Sequence, residues 1–89
     1  MADETLRIWG RNIQLRRELL NADGGLRKQS ETPMTQADLG ALFDPPVHQT
    51  TVARWEAGQM EPRRQHKAEL ARILMTDVAM LFPLTRSAA

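Results

Sequence analysis

The 89-residue chain contains no cysteine, no long apolar run and few segments with the alternating pattern of a strand. The lack of cysteine excludes disulfide bonds and thiolate zinc sites. No apolar run approaches the roughly 18–20 residues that a membrane-spanning helix needs. The polar, acidic start lacks the basic and apolar segments of a secretory signal. We therefore expect a cytoplasmic protein that does not associate with a membrane.

The sequence lacks the residue patterns that most kinds of active site need. We find no nucleophile paired with a base, no glycine-rich phosphate loop and no paired carboxylates. The two histidines, His48 and His66, stand far apart in the sequence and have no cysteine beside them, so we expect no metal site. The sequence predicts a protein that is not an enzyme and that carries no cofactor.

The apolar residues that are present recur at helical spacing. Leu6, Trp9, Ile13 and Leu20 fall on one stripe of a first helix, and later segments repeat the pattern. We predict five helices, over residues 3–20, 36–43, 49–57, 62–74 and 77–82, in a single domain over residues 1–89. The stretch 21–34 is long for a connection between helices, and we expect a solvated loop insertion there. In the alternative interpretation, Arg27 and Lys28 of this loop contact DNA or a partner.

Residues that begin and end helices mark several of these boundaries. Thr35 followed by Asp38 is typical of a capping box, in which each side chain bonds the backbone amide at the other position. Gly58 suits a left-handed residue at the end of the third helix. We also expect Pro62 at the first position of the fourth helix and Thr76 as the cap of the fifth.

The third predicted helix separates apolar from polar residues. Val52 and Trp55 are spaced to face a core, and the preceding helix carries Gly40, which is small enough for two steeply crossed helices to approach closely. The polar side chains of the other face are those of Gln49, Thr50 and Arg54. Glutamine pairs with adenine, arginine pairs with guanine, and threonine bonds either or contacts a thymine methyl group. This face therefore predicts the recognition of DNA bases.

The formal net charge is only +1, whereas nucleic-acid-binding domains are often strongly basic. The basic residues nevertheless occur in clusters, which comprise Arg7, Arg11, Arg16 and Arg17, then Arg27 and Lys28, and then Arg54, Arg63, Arg64 and Lys67. Each cluster is either a phosphate-binding surface or an ordinary solvated helix face. The charge pattern alone leaves both interpretations open.

The segments MTQADLGALF and VHQTTVARWEAGQMEPR resemble the Cro/CI-repressor-like helix-turn-helix family, also called the XRE family. The matching features are Thr35-Gln36, Leu39-Gly40, Trp55-Glu56-Ala57-Gly58 and Pro62. Residues 9–18 and 71–82 resemble the family's first and last helices, so the resemblance covers nearly the whole chain. It implies an all-α, five-helix lambda-repressor-like domain with its helix-turn-helix at residues 35–58.

The resemblance also implies a function and a set of site residues. Family members commonly bind two-fold operators in double-stranded DNA as homodimers, so it implies a phage- or prophage-type repressor. The implied base-reading residues are Gln49, Thr50 and Arg54. The residues assigned to the DNA backbone are Gln36, His48, Thr51, Arg63 and Arg64. Arg17 and Glu56 match a pair that bridges the first and third helices.

Two features near the turn depart from the family's usual pattern. Asp44-Pro45-Pro46 replaces a single glycine, so the register of the third helix against the family's is fixed only to within one residue. His48 stands where a capping serine or threonine is usual, and histidine is a poorer cap.

A protein-interaction module is the alternative function. The same fold would serve as an antitoxin or adaptor whose main partner is a protein. Met80, Leu81, Phe82 and Leu84 form an apolar end that suits core, dimer surface or partner surface. Salt separates the two functions, because phosphate contacts weaken steeply as salt rises.

Overall fold

The structure is a computed structural model that describes residues 2–84, and this part of the chain forms five helices. They are α1 (Ala2–Glu18), α2 (Gln36–Ala41), α3 (Gln49–Glu56), α4 (Arg64–Ile73) and α5 (Val78–Leu81). Within residues 2–84 the only strand-like pairing is an isolated bridge between Leu20 and Leu26. The prediction of an all-α class with five helices is confirmed. None of the described helices is both long and apolar enough to cross a membrane.

One apolar core holds these short helices together. Its fully buried members are Ile13, Leu20, Met34, Leu39, Val52, Trp55, Leu70, Leu74 and Leu81. They come from all five helices and from the loop before α2, because helices of four to ten residues are not stable alone and must bury one face against their neighbours. The predicted apolar stripe of α1 contributes Trp9 and Ile13, which are buried, and Leu6, which packs against the core.

The start of α2 and the end of α3 confirm the predicted capping box and the predicted left-handed glycine. Thr35 Oγ1 accepts a hydrogen bond from the Asp38 amide at 3.0 Å, and the Asp38 carboxylate accepts one from the Thr35 amide at 3.0 Å. Gly58 has a φ of 73°. The Gly58 amide donates to the Trp55 carbonyl at 3.1 Å, and the next amide donates to the Arg54 carbonyl at 2.9 Å. These two bonds close α3 in a Schellman motif.

Several predicted boundaries were wrong. Helices α1 and α2 end at Glu18 and Ala41, each two residues before the predicted end, so Leu20 lies beyond α1. Pro62 is not the first residue of α4, because Arg63 is the N-cap and the helix begins at Arg64. Thr76 does not cap α5. Its amide closes the end of α4 on the Ala71 carbonyl at 2.9 Å, so that Asp77 becomes the cap residue, without a side-chain capping bond.

The 21–34 insertion is exposed along most of its length, as expected, but it is also held by hydrogen bonds. Asn21 Oδ1 accepts from two amides of the loop, those of Asp23 at 3.0 Å and Gly25 at 3.1 Å. Arg27 Nε donates to the Glu18 carbonyl at the end of α1 at 2.9 Å. The loop returns to the core at Met34, whose amide donates to the Leu20 carbonyl at 2.8 Å.

Two glycines lie where chain segments meet closely. A Cβ on Gly40 would lie 2.1 Å from the Val47 carbonyl oxygen, so the predicted need for a small residue is confirmed. The contact is with the turn before α3, however, rather than with the body of that helix. A Cβ on Gly10 would lie 2.4 Å from the Glu56 carbonyl oxygen, which brings α1 against the end of α3. Both approaches fix the orientation of α3.

Candidate nucleic-acid interface

The outward face of α3 carries the three predicted base-reading side chains. Gln49, Thr50 and Arg54 are exposed, whereas Val52 and Trp55 on the opposite face are buried at 0% and 2% exposure. Among residues 2–84, no hydrogen bond or ion pair involves the side chain of any of the three. Their donors and acceptors are therefore available to an external partner.

His48 begins this helix as its N-cap. Its Nδ1 atom accepts from the Thr50 amide at 3.1 Å, and its backbone is extended, as is usual at that position. The residue that the sequence assigned to the DNA backbone therefore also has a structural role. Despite its poor ranking as a cap, histidine supplies the acceptor that the first turn of α3 needs.

Two surface clefts flank the exposed face of α3. One lies between α2 and the start of α3 and is lined by Ala37, Ala41, Pro46, Val47, His48 and Gln49. The other lies between α3 and the start of α4 and brings Thr51 together with Arg63 and His66. Gln49 and Thr51 thus border opposite sides of α3. The second cleft is lined by both Thr51 and Arg63, which the sequence assigned to the DNA backbone.

The start of α4 adds unpaired positive charge beside α3. Arg63 and Arg64 are exposed, and neither has an ion-pair partner in the described part of the chain. Arg63 provides no side-chain cap, and the first turn of α4 contains no acidic residue. The nearby carboxylate of Glu61 is bound by Lys67 at 2.7 Å. No free carboxylate of this segment offsets the two arginines.

A partly buried ion pair joins α3 to α1, between the two residues that the resemblance paired. Arg17 Nε and Nη2 donate to the two carboxylate oxygens of Glu56 at 2.7 and 2.9 Å. The side chains are only 11% and 5% exposed. The hydrogen bond to Glu56 raises the pKa of Arg17, although burial opposes this shift. Arg17 Nη1 also donates to the Met34 carbonyl at 2.7 Å, so the guanidinium ties α1 to the returning loop as well.

Gln36 has a contact that the sequence did not predict. Its Nε2 donates to Glu56 Oε1 at 3.0 Å, which joins the start of α2 to the end of α3. The Glu56 carboxylate is therefore shared by Arg17 of α1 and Gln36 of α2. This network holds α3 in a fixed position relative to both helices.

The structure separates the basic clusters into two groups. Engaged side chains include Arg16, whose Nη2 donates to the Leu74 carbonyl at 2.7 Å, and Lys67, whose Nζ lies 4.3 Å from the centre of the Trp9 ring. Within residues 2–84, the basic side chains without a hydrogen bond, ion pair or ring contact are those of Arg7, Arg11, Lys28, Arg54, Arg63 and Arg64. Sequence reasoning did not identify these roles of Arg16 and Lys67, because the Leu74 carbonyl and the Trp9 ring lie more than fifty residues away from them in the chain.

Neither histidine belongs to a metal-type cluster among the described residues. His66 packs against the rings of Phe43 and Trp55, with centroid distances of 5.7 and 5.2 Å. It is a core-edge residue of α4.

Comparison with known proteins identified no relative. No family model, no curated protein and no solved structure matched the chain.

Proposed function

We propose that this chain is a sequence-specific DNA-binding regulator that inserts α3 into the major groove. The observation that carries the proposal is the exposed face of α3, where the side chains of Gln49, Thr50 and Arg54 have no partner within residues 2–84 and the opposite face is buried. Their amide, hydroxyl and guanidinium groups match the hydrogen-bonding edges of base pairs in the major groove. Because α3 is capped at both ends and packed on its buried face, its backbone is already fixed, and only the side chains themselves must be ordered on binding.

The DNA backbone is bound beside this face. Arg63 and Arg64 neutralise phosphates at the start of α4, and Thr51 lines the same cleft as Arg63. Gln36 acts mainly by holding Glu56, and its second amide proton remains for a phosphate at the start of α2. These contacts set the register of α3 on the duplex, while the base contacts set its sequence preference.

The operator and the assembly follow from the family that the sequence resembles. We expect a homodimer on a palindromic operator, with half-sites about one helical turn apart. The biological role implied by the same resemblance is that of a phage- or prophage-type repressor.

Selection of bound duplexes from a random pool at about 150 mM salt tests the function directly. We expect a palindromic motif. On that motif, Arg54→Ala should cost about 1–3 kcal/mol and relax the preference at one base pair, whereas Arg63→Ala should weaken binding to all sequences and lower the salt slope by about 1. Arg72→Ala is the matched control. Arg72 lies in the last turn of α4, beside the loop residues Asp23 and Gly24, and thus at the opposite end of that helix from Arg63.

Two results would contradict this proposal. Selection without a motif, together with weak binding that vanishes as salt rises, would exclude sequence-specific recognition. If Arg54→Ala weakened binding equally on all sequences, Arg54 would contact a phosphate and not a base.

A protein-binding function is favoured by one separate observation. Leu15 of α1 and Met80 of α5 line a cleft between these helices and are 49% and 69% exposed, and Leu84 is 83% exposed. Leu81 and Phe82, by contrast, belong to the core. An apolar surface of this kind suits an antitoxin or adaptor bound to another protein. Binding that changes little with salt would identify this function.

A further inference from the structure

The imidazole of His48 uses only one of its two nitrogens within the described structure. Nδ1 accepts from the Thr50 amide at 3.1 Å. No other hydrogen bond, ion pair or ring contact involves this side chain within residues 2–84, and the residue is exposed. Nε2 is therefore without an intramolecular partner.

The capping bond determines which nitrogen carries the proton. A neutral imidazole has one N–H group and one acceptor nitrogen. Because Nδ1 is the acceptor in the cap, the hydrogen must be on Nε2, which is the nitrogen farther from the backbone. The cleft beside His48 is lined otherwise by Ala37, Ala41, Pro46, Val47 and Gln49, none of which carries a charge.

We infer that His48 has two linked functions at the start of α3. Its Nδ1 atom caps the helix, and its Nε2–H group donates a hydrogen bond to a DNA phosphate. This inference rests on the proposed function and assigns a specific atom to the phosphate contact. The cap immobilises the ring before DNA arrives, so little side-chain freedom is lost on binding. A serine cap would keep its hydroxyl next to the backbone and would not extend a donor outward.

The protonated nitrogen can be identified without DNA. Proton–nitrogen correlation spectra of the imidazole, recorded at about pH 8, above most of the range in which histidine side chains change charge, distinguish the two neutral tautomers. We expect the Nε2–H form for His48. The Nδ1–H form would overturn the inference, because it could neither cap Thr50 nor donate from Nε2.

The phosphate contact is tested with the unmodified chain, His48→Ser and His48→Ala. Serine retains a cap but removes the outward donor, so His48→Ser should melt at or above the temperature of the unmodified chain. It should bind DNA about two- to tenfold more weakly, which is the value of one net hydrogen bond. The factor should be similar on the selected operator and on an unrelated duplex, because a phosphate contact carries no sequence information. His48→Ala should lose both stability and affinity.

The opposite outcomes are distinguishable. Binding by His48→Ser as tight as that of the unmodified chain would reduce His48 to a cap and overturn the contact alone. A loss confined to the operator would also overturn it, because His48 would then contact a base. Failure of the unmodified chain to bind any duplex would overturn the contact together with the proposed function.

Discussion

Replacement of Gly10 by alanine should destabilise the protein, although helix propensity alone predicts the reverse. Gly10 lies inside α1, where alanine is favoured over glycine by about 1 kcal/mol. In the structure, however, an added Cβ would lie 2.4 Å from the Glu56 carbonyl oxygen and 2.5 Å from that of Trp55. Both obstacles are backbone atoms at the end of α3, so no side-chain rotation relieves the contact.

The magnitude follows from the separation that the helices would need. To restore ordinary van der Waals contact, α1 and the end of α3 must move apart by about 1 Å, which also disturbs the partly buried Arg17–Glu56 pair. Overpacking of this kind costs about 1–3 kcal/mol. For a domain of this size, 1 kcal/mol corresponds to about 4–8 °C in melting temperature.

Urea and thermal unfolding followed by tryptophan fluorescence measure this effect, since Trp9 and Trp55 are both buried. Gly25→Ala is the matched control. A Cβ on Gly25 would meet only the Asn21 side chain, at 3.7 and 3.8 Å, so its effect should stay within about 0.5 kcal/mol. A Gly10→Ala variant that is as stable as the unmodified chain, or more stable, would refute the close approach of α1 to α3.

The remaining predictions concern the ion pair and the loop. Glu56→Ala leaves the partly buried guanidinium of Arg17 with the Met34 carbonyl as its remaining partner. It should lower the free energy of unfolding by about 1–3 kcal/mol in urea titrations; a loss below about 1 kcal/mol would mean that the pair behaves as an exposed one. In the loop, the Lys28 amide and the Asn21 side chain lower the pKa of Glu31. The stabilisation from Glu31 should therefore be complete above the carboxyl's ordinary pKa and be lost as pH falls through the lowered one. The Lys28 amide shift in NMR spectra should follow this titration, and the same titration in Glu31→Gln would contradict the assignment.

Much of the local structure could be predicted because its causes lie within a few residues. The capping box joins Thr35 to Asp38, and at the end of α3 the amides of Gly58 and of the next residue donate to carbonyls of the preceding turn. The exposed face of α3 followed from the spacing of Val52 and Trp55. The errors at the starts of α4 and α5 are of one or two residues, which is the scale on which neighbouring polar residues compete for the cap position.

The site could be predicted only in part. The sequence indicated which side chains of α3 face outward, and the resemblance indicated the Arg17–Glu56 pair. The sequence also placed His48 at the cap position, and it does cap α3. Neither source indicated that Gln36 would share the Glu56 carboxylate. A side chain with several donors or acceptors is committed by the neighbour that it meets, and the sequence does not give that neighbour.

By itself, the sequence determined the helical class, the amphipathic faces and several helix ends, because these depend on residue spacing and on hydrogen bonds between near neighbours. Only the tertiary structure decided which basic residues remain free. Arg16 and Arg54 both lie in the last turn of an α-helix. Arg16 nevertheless binds carbonyls at the end of α4, whereas the exposed side chain of Arg54 has no partner within residues 2–84. Gly10 is a similar case, since its role depends on a carbonyl more than forty residues away. Such assignments require the packing of helices distant in the chain, and residue spacing does not encode that packing directly.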